Sequence, residues 1–229
     1  MTTISEIELE CCICGEKSNH MDIGSTSTFG TPDLDTRPPE MQRSTICHWI
    51  QRCPFCGYCS SDISESSGTA KEFVESKKYQ SILKNKAIPQ LASSFLAESY
   101  EKEQNSQYSD SAWRAIHAAW ICDDEGNVEG SKSCRVKAIS MIEQANLHSQ
   151  QIANQDGASE AITIDLMRRA GLFQQALKLA ENIKEKDIEG IIMQVVEYEV
   201  ALIQSKDIDS HTISEAIGEG TIQEASDDG

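Results

Sequence analysis

Apolar positions along the 229-residue chain follow two patterns, which meet near residue 65. From Pro89 onward they recur every three or four residues, the spacing that lays one apolar stripe along an α-helix. Leu91, Phe95, Leu96 and Tyr100 make the first stripe, and Pro89 suits a first helical turn. Ser109 or Asp110 can cap a second helix carrying Trp113, Ile116 and Trp120, with Gly126 in the polar loop that ends it. Val136, Ile139 and Ile142 predict a third helix, with Leu147 near its end. Ile162, Leu166, Met167 and Ala170 predict a fourth, stopped by Gly171, and Phe173, Leu177 and Ala180 predict its partner. Ile188, Ile191, Ile192, Val195, Tyr198 and Leu202 predict a last helix. Val196, Val200 and Ile203 make that helix apolar on more than one face, as in a helix sandwiched between neighbours.

The first 65 residues lack this period. Between residues 43 and 52, Ile46, His48 and Ile50 alternate with Thr45, Cys47 and Trp49, which predicts a strand. The Ser-rich stretch from Ser60 to Gly68 reads as a hinge. The expected domains are therefore a module over 1–65, a helical domain over 66–217 and a disordered acidic tail over 218–229. The fold class is mainly α: a small zinc-ribbon-like β/loop module, then an α-helical bundle of TPR-like hairpins. The TPR-like element rests on Gly171, Phe173 and Ala176, a G-x-F-x-x-A turn matching a tetratricopeptide-type hairpin. Glycine is expected there to allow close helix approach, with Phe173 filling the wedge. The match occurs once, so no repeat array is predicted.

Nine cysteines change the picture, because seven of them precede residue 60. An odd count without an export signal argues against a disulfide scaffold and for reduced thiols in the cytoplasm. Two knuckles stand out: Cys11-Cys12-Ile13-Cys14-Gly15 and Cys53-Pro54-Phe55-Cys56-Gly57. Each C-x-x-C turn aims two thiolates at one ion, and the glycine after it lets the backbone pass through positive φ. Cys11, Cys14, Cys53 and Cys56 together predict one closed, tetrahedral, structural zinc. Iron is the rival, since the second knuckle resembles that of rubredoxin. The long insertion between the pairs must loop out and return as the 43–52 strand. Cys12, Cys47, Cys59 and His48 are spare donors, expected to be packed rather than bound.

A second candidate is the Pro-rich segment containing Asp33, Asp35, Arg37 and Glu40. If the prolines hold it extended, Asp33, Asp35 and Arg37 face one way. Such a row is expected to tether the loop ionically to the ribbon or the helices, or else to form a binding or acid–base site. His117 and His148 have no ligand-like spacing and read as structural, and Trp113, Trp120, Phe95 and Phe173 read as core.

The knuckles, the segment Asp33–Glu40, the lead-in Trp49–Arg52, Ala118-Ala119-Trp120 and Arg168–Phe173 resemble a known family, domain-of-unknown-function family 2225. In that family a cysteine-rich N-terminal module precedes TPR-like helices. The resemblance implies this architecture and the cysteine ligands, and no activity.

With 20 basic and 37 acidic side chains the chain carries −17, and its first 65 residues hold only four basic ones. That argues against a zinc-ribbon nucleic-acid binder, which depends on basic side chains at the phosphates. No eighteen-residue apolar run exists, so no membrane span is expected. The functional expectation is a zinc-binding, non-enzymatic scaffold for a protein or peptide partner. The alternatives are a metal-associated enzyme using the Asp33/Asp35/Arg37 loop, or an iron electron-transfer module.

Overall fold

The computed structural model describes residues 1–65, 68–184, 188 and 190–218. The expected acidic tail lies outside them beyond Gly218. The described chain is mainly helical, with small N-terminal sheets and two compact units.

The first unit comprises residues 1–29 and 40–152. It opens with an antiparallel hairpin, β1 (Thr3–Glu10) and β2 (Lys17–Ser25), followed by a second of minimal length, β3 (Gln51–Arg52) and β4 (Cys59–Ser60). Helices α1 (Lys71–Val74), α2 (Lys77–Leu83), α3 (Gln90–Gln104), α4 (Tyr108–Asp124) and α5 (Val128–Leu147) follow. Alanines and serines on α3, α4 and α5 are buried, so these backbones approach closely; Ala97, Ala112, Ala115, Ala118 and Ala138 have no exposed surface.

The predicted 43–52 strand is a 3-10 helix over Arg43–His48, and only Gln51 and Arg52 extend. Within 43–50 the buried residues are Thr45, Ile46 and Ile50, with Trp49 half-buried. A spacing of i, i+1, i+4, i+5 belongs to a helical turn, not to a strand face. Thr45 fixes the turn: its hydroxyl donates to the Gln42 carbonyl (2.7 Å) and accepts from Trp49 Nε1 (2.8 Å). Two helix starts also differ from expectation. Pro89 sits just ahead of α3 as its N-cap, and α4 begins at Tyr108 after Gln107. Ser109 is thereby free to hold a later loop, its N–H on Gln150 Oε1 and its hydroxyl on the Gln151 carbonyl.

The second unit comprises residues 30–39 and 153–229. Its described helices are α6 (Ala158–Arg169), α7 (Phe173–Lys184), α8 (Gly190–Ser205) and α9 (Ile213–Ile217). Ile164, Ala176, Ala180, Ile183, Val196 and Ile203 form its core, joined by Leu34 from the early segment. As expected of its apolar faces, α8 packs on α6, α7 and α9. Gly171 turns between α6 and α7 at φ +79°, but nothing lies within 4 Å of where its Cβ would be. Positive φ, not close helix approach, is what demands glycine there.

The 65/66 division is therefore replaced. The cysteine module shares a unit with α1–α5, because Tyr79, Gln80 and Leu83 of α2 and Glu98 of α3 grip its second hairpin. The segment 30–39 leaves that unit for the other. Among the described residues, no helix is long and apolar enough to cross a membrane.

Candidate metal centre

The two hairpins turn through the two knuckles, and the turns are alike bond for bond. In the first, Gly15 N–H donates to the Cys11 carbonyl (2.8 Å) and Cys11 N–H to the Glu16 carbonyl (2.9 Å). In the second, Gly57 N–H donates to the Cys53 carbonyl (3.0 Å) and Cys53 N–H to the Tyr58 carbonyl (2.8 Å). Gly15 and Gly57 sit at φ +76° and +81°, where a side chain is strained. Each knuckle is thus a closed loop that points two sulfurs inward from the end of a ribbon.

The four sulfurs converge. Those of Cys11, Cys14, Cys53 and Cys56 all lie within 4.8 Å of one another, with Cys11–Cys56 at 3.7 Å and Cys14–Cys53 at 3.6 Å. A disulfide would need about 2.05 Å. A tetrahedral ion with metal–sulfur bonds of about 2.3 Å has sulfur–sulfur edges of about 3.8 Å. The spacing matches the tetrahedron, and the cluster could hold a metal ion.

Cys11 and Cys53 are buried, Cys14 and Cys56 half-buried. Burial raises the thiol pKa of Cys11 and Cys56, against backbone N–H groups that lower them. At Cys53 burial pushes upward too, but the N–H groups of Cys56 and Phe55 and the Cys14 thiol outweigh it and the pKa falls. Four sulfurs this close ionise together only when a cation offsets their mutual repulsion and desolvation.

α2 and α3 buttress the second knuckle. Tyr79 Oη accepts from Cys59 N–H (2.9 Å) and donates to the Gly57 carbonyl (3.5 Å). Leu83 Cδ1 lies 2.8 Å from the position of a Gly57 Cβ, so a side chain there would have to displace Leu83. Nothing approaches Gly15 in this way. Helix α2 escaped the sequence reading, although Ser76 as cap with Tyr79 and Leu83 four apart was a usable signal.

The spare donors do not join the cluster. Cys12 and Cys47 are exposed, contrary to the expectation that they pack. Cys59 is buried, and that burial pushes its pKa up to about 12. His48 is half-buried and outside the cluster. His117 packs edge-on to Trp49 and Phe95 and tilted to Trp120; burial, then the Arg114 guanidinium, pushes its pKa down to about 3.

The Asp33–Arg37 segment is a turn, not an extended row. Asp33 N–H donates to the Arg37 carbonyl, Thr36 N–H to the Asp33 carbonyl, and Thr36 takes φ +64°. The short Asp35 side chain favours that turn by accepting from Arg37 N–H (3.2 Å). Asp33, Asp35 and Arg37 are all buried in the second unit. Asp35 Oδ2 accepts from Arg169 Nη1 (3.1 Å) on α6, and Asp33 Oδ2 from the Ser210 hydroxyl (2.9 Å). Glu40 parts from them: it is exposed, accepts from the Ser44 hydroxyl (2.5 Å) and belongs to the first unit.

The second unit also holds a charged centre that the sequence reading passed over. Arg168 has no exposed side-chain surface. Its Nε donates to Glu199 Oε2 (2.7 Å), Nη2 to Asp165 Oδ1 (2.6 Å), and Nη1 to the carbonyls of Asp207 (2.9 Å) and Asp209 (3.0 Å). One side chain thereby joins α6, α8 and the loop before α9.

No family model matches the chain, and no curated protein or solved structure matches it.

Proposed function

We propose that the chain is a zinc-binding, non-enzymatic protein-interaction module, its metal holding two knuckles in place on a helical support. The observation that carries this reading is the Cys11–Cys14–Cys53–Cys56 cluster, whose edges of 3.6 and 3.7 Å fit four ligands around one ion. Four thiolates fill a tetrahedral ion, whereas a catalytic zinc keeps a position for water. The alternative enzyme site loses support from geometry: Asp33, Asp35 and Arg37 are buried in a turn, with Asp33 and Asp35 hydrogen-bonded inside their own unit. The interaction half of the reading draws on α5, where Val128, Val136 and Leu147 share one sector and are exposed. The resemblance to domain-of-unknown-function family 2225 implies the same architecture.

Elemental analysis with visible absorption tests the metal. One zinc per chain, lost in the Cys14→Ser/Cys56→Ser double variant, is the expected result. A red protein with iron–thiolate absorption would replace the zinc reading by the electron-transfer one.

A further inference from the structure

Strand β1 presents an edge that its own unit leaves open. Of the described elements β1 packs chiefly on β2, and β2 in turn meets the 3-10 turn over Arg43–His48. Among the described residues, no backbone hydrogen bond from Ile4–Glu10 leaves the hairpin. The phase of the ladder decides which groups face outward. Cys11 N–H donates to the Glu16 carbonyl (2.9 Å), so position 11 turns its backbone toward the β2 side. In an antiparallel ladder this orientation alternates along the strand. Leu9, Ile7 and Ser5 therefore bond to β2, while Glu10, Glu8, Glu6 and Ile4 turn their N–H and C=O groups to the open edge. The register is unbroken from Ile4 opposite Ile23 to Glu10 opposite Lys17, so the edge is straight over that length.

The same alternation puts the side chains of those four residues on one face. Ile4, Glu6, Glu8 and Glu10 are all exposed, whereas Ile7 and Leu9 on the other face are half-buried. Lys17 reaches Glu8 at 3.6 Å, but both side chains are more than 60% exposed, and such a pair is worth little in water. Over residues 1–25 five acidic side chains face a single lysine. The backbone that lacks a partner and the charge that lacks compensation thus belong to the same residues.

An unpaired edge accepts another strand, and charge decides which one. A second copy would bring its own Glu6, Glu8 and Glu10 against these, and like charges directly opposed destabilise a strand pair. A strand with a cation at every second position sets each one opposite a glutamate, with Cα atoms about 5.5 Å apart. Its intervening residues fall on the Ile7 and Leu9 face, where β-branched side chains fit.

We propose that β1 receives an extended basic segment of a partner protein as a third strand, with lysine or arginine at every second position. The outward N–H and C=O groups of Ile4, Glu6, Glu8 and Glu10 make the ladder, and the glutamates select the partner. This rests on the interaction reading, at a surface other than α5, and the metal assay stands or falls separately.

The test uses the full-length, metal-loaded, ¹⁵N-labelled protein and three capped heptapeptides. One alternates, Lys-Val-Lys-Thr-Lys-Val-Lys; the second gathers its four lysines into one block; the third carries glutamate for every lysine. The alternating peptide should give saturable amide shifts in the hairpin, half-complete near millimolar concentration and weakened by salt. It should slow hydrogen exchange at Ile4, Glu6, Glu8 and Glu10 and leave Ser5, Ile7 and Leu9 as they were. Glu6→Lys/Glu8→Lys should weaken binding about tenfold. Glu6→Pro removes one outward N–H, which an edge strand tolerates, and should weaken it as well; it serves if the double variant does not fold. Four outcomes would each overturn the proposal. They are no saturable shift, equal binding of either control peptide, unchanged affinity in Glu6→Pro or the folded double variant, and the same alternate protection without peptide as protein concentration rises, the mark of a second copy on the edge.

Discussion

Two stretches of irregular backbone, the knuckles of the first unit and the loop before α9 in the second, are fixed by opposite chemistries. In the knuckles, four like groups converge: sulfurs 3.6 and 3.7 Å apart that repel one another once ionised. In the second unit, unlike groups converge on Arg168, with the carboxylates of Glu199, Asp165 and, at 3.5 Å, Asp207 and two carbonyls taking its donors. The sulfur cluster needs a cation from outside, while the arginine cluster carries its own. A small module can thus be stapled by a metal where it lacks core, and a helical unit can staple itself with a buried charge.

Metal removal should separate the two most sharply. Structural zinc sites in small modules contribute binding energies of order 10 kcal/mol or more, all of it folding energy. Chelation should therefore release protection of the amides in β1, β2 and both knuckles while those of α6 and α8 stay protected. Hydrogen exchange with mass spectrometry reads both regions at once. Because Tyr79 and Leu83 hold the second knuckle, α2 should loosen with it. Loss of protection across α6–α8 on chelation would break the comparison.

Arg168→Ala should do the reverse, leaving Asp165 and Glu199 buried without their cation. Breaking a buried pair from one side costs about 3–5 kcal/mol. Hydrogen exchange in α6 and α8 should accelerate accordingly, with metal content unchanged. Asp35→Ala tests the same logic at a smaller centre, since Asp35 has no exposed surface and its partner Arg169 is 7% exposed. A fall of several degrees in the melting of the second unit is expected; an unchanged melting point with a lost binding partner would turn the segment from a structural tether to a binding loop.

The four clustered cysteines were legible in the sequence because a knuckle is a local object: two cysteines, a fixed spacing and a glycine. Helices with long stripes, such as the one bearing Phe95 and the one bearing Trp113, Ile116 and Trp120, were legible for the same reason. The 43–52 segment was misread because its alternation is mixed with a four-residue spacing, and Ile46 and Ile50 satisfy both. The unit boundary was illegible because it depends on long-range partners. Leu34 joins a core built from residues beyond 160, and nothing near residue 34 announces it. The same holds for Asp35 and Arg169, which are 134 positions apart. Helix α9 did carry a local signal in Thr212 and Glu215, a reciprocal capping box that the apolar pattern overshadowed.

A finer contrast lies inside the metal centre. Gly15 and Gly57 share a left-handed conformation, and an alanine at either costs about 1–2 kcal/mol for the backbone alone. At Gly57 the new methyl also meets Leu83 Cδ1 at 2.8 Å, whereas at Gly15 it meets nothing within 4 Å. Gly57→Ala should therefore cost more than Gly15→Ala, and only Gly57→Ala should disturb α2. Equal losses in denaturant titrations would mean that the helix does not brace the second knuckle.

A last contrast, silent at neutral pH for His117, is a pH dependence of opposite sign in the two units. His117 in the first unit has a folded pKa of about 3, set by burial and by Arg114, against about 6.5 when unfolded. Between those values the unfolded chain binds a proton that the fold refuses, so this contribution to stability is present above pH 6.5 and fades as pH falls. Glu199 in the second unit is raised well above 4.5, by burial first and then by the Asp165 carboxylate, against the pull of Arg168. There the fold holds the extra proton, so its contribution is full below pH 4.5 and is lost as pH rises through the folded value. All three tryptophans lie in the first unit, and His117 has ring contacts with each, so fluorescence-detected melting follows that unit. His117→Phe should gain on the wild type as pH drops below 6.5. Glu199→Gln, followed by exchange in α8, should gain on the wild type as pH climbs above 4.5. Differences that stay flat across both windows would remove the contrast between the refused proton and the held one.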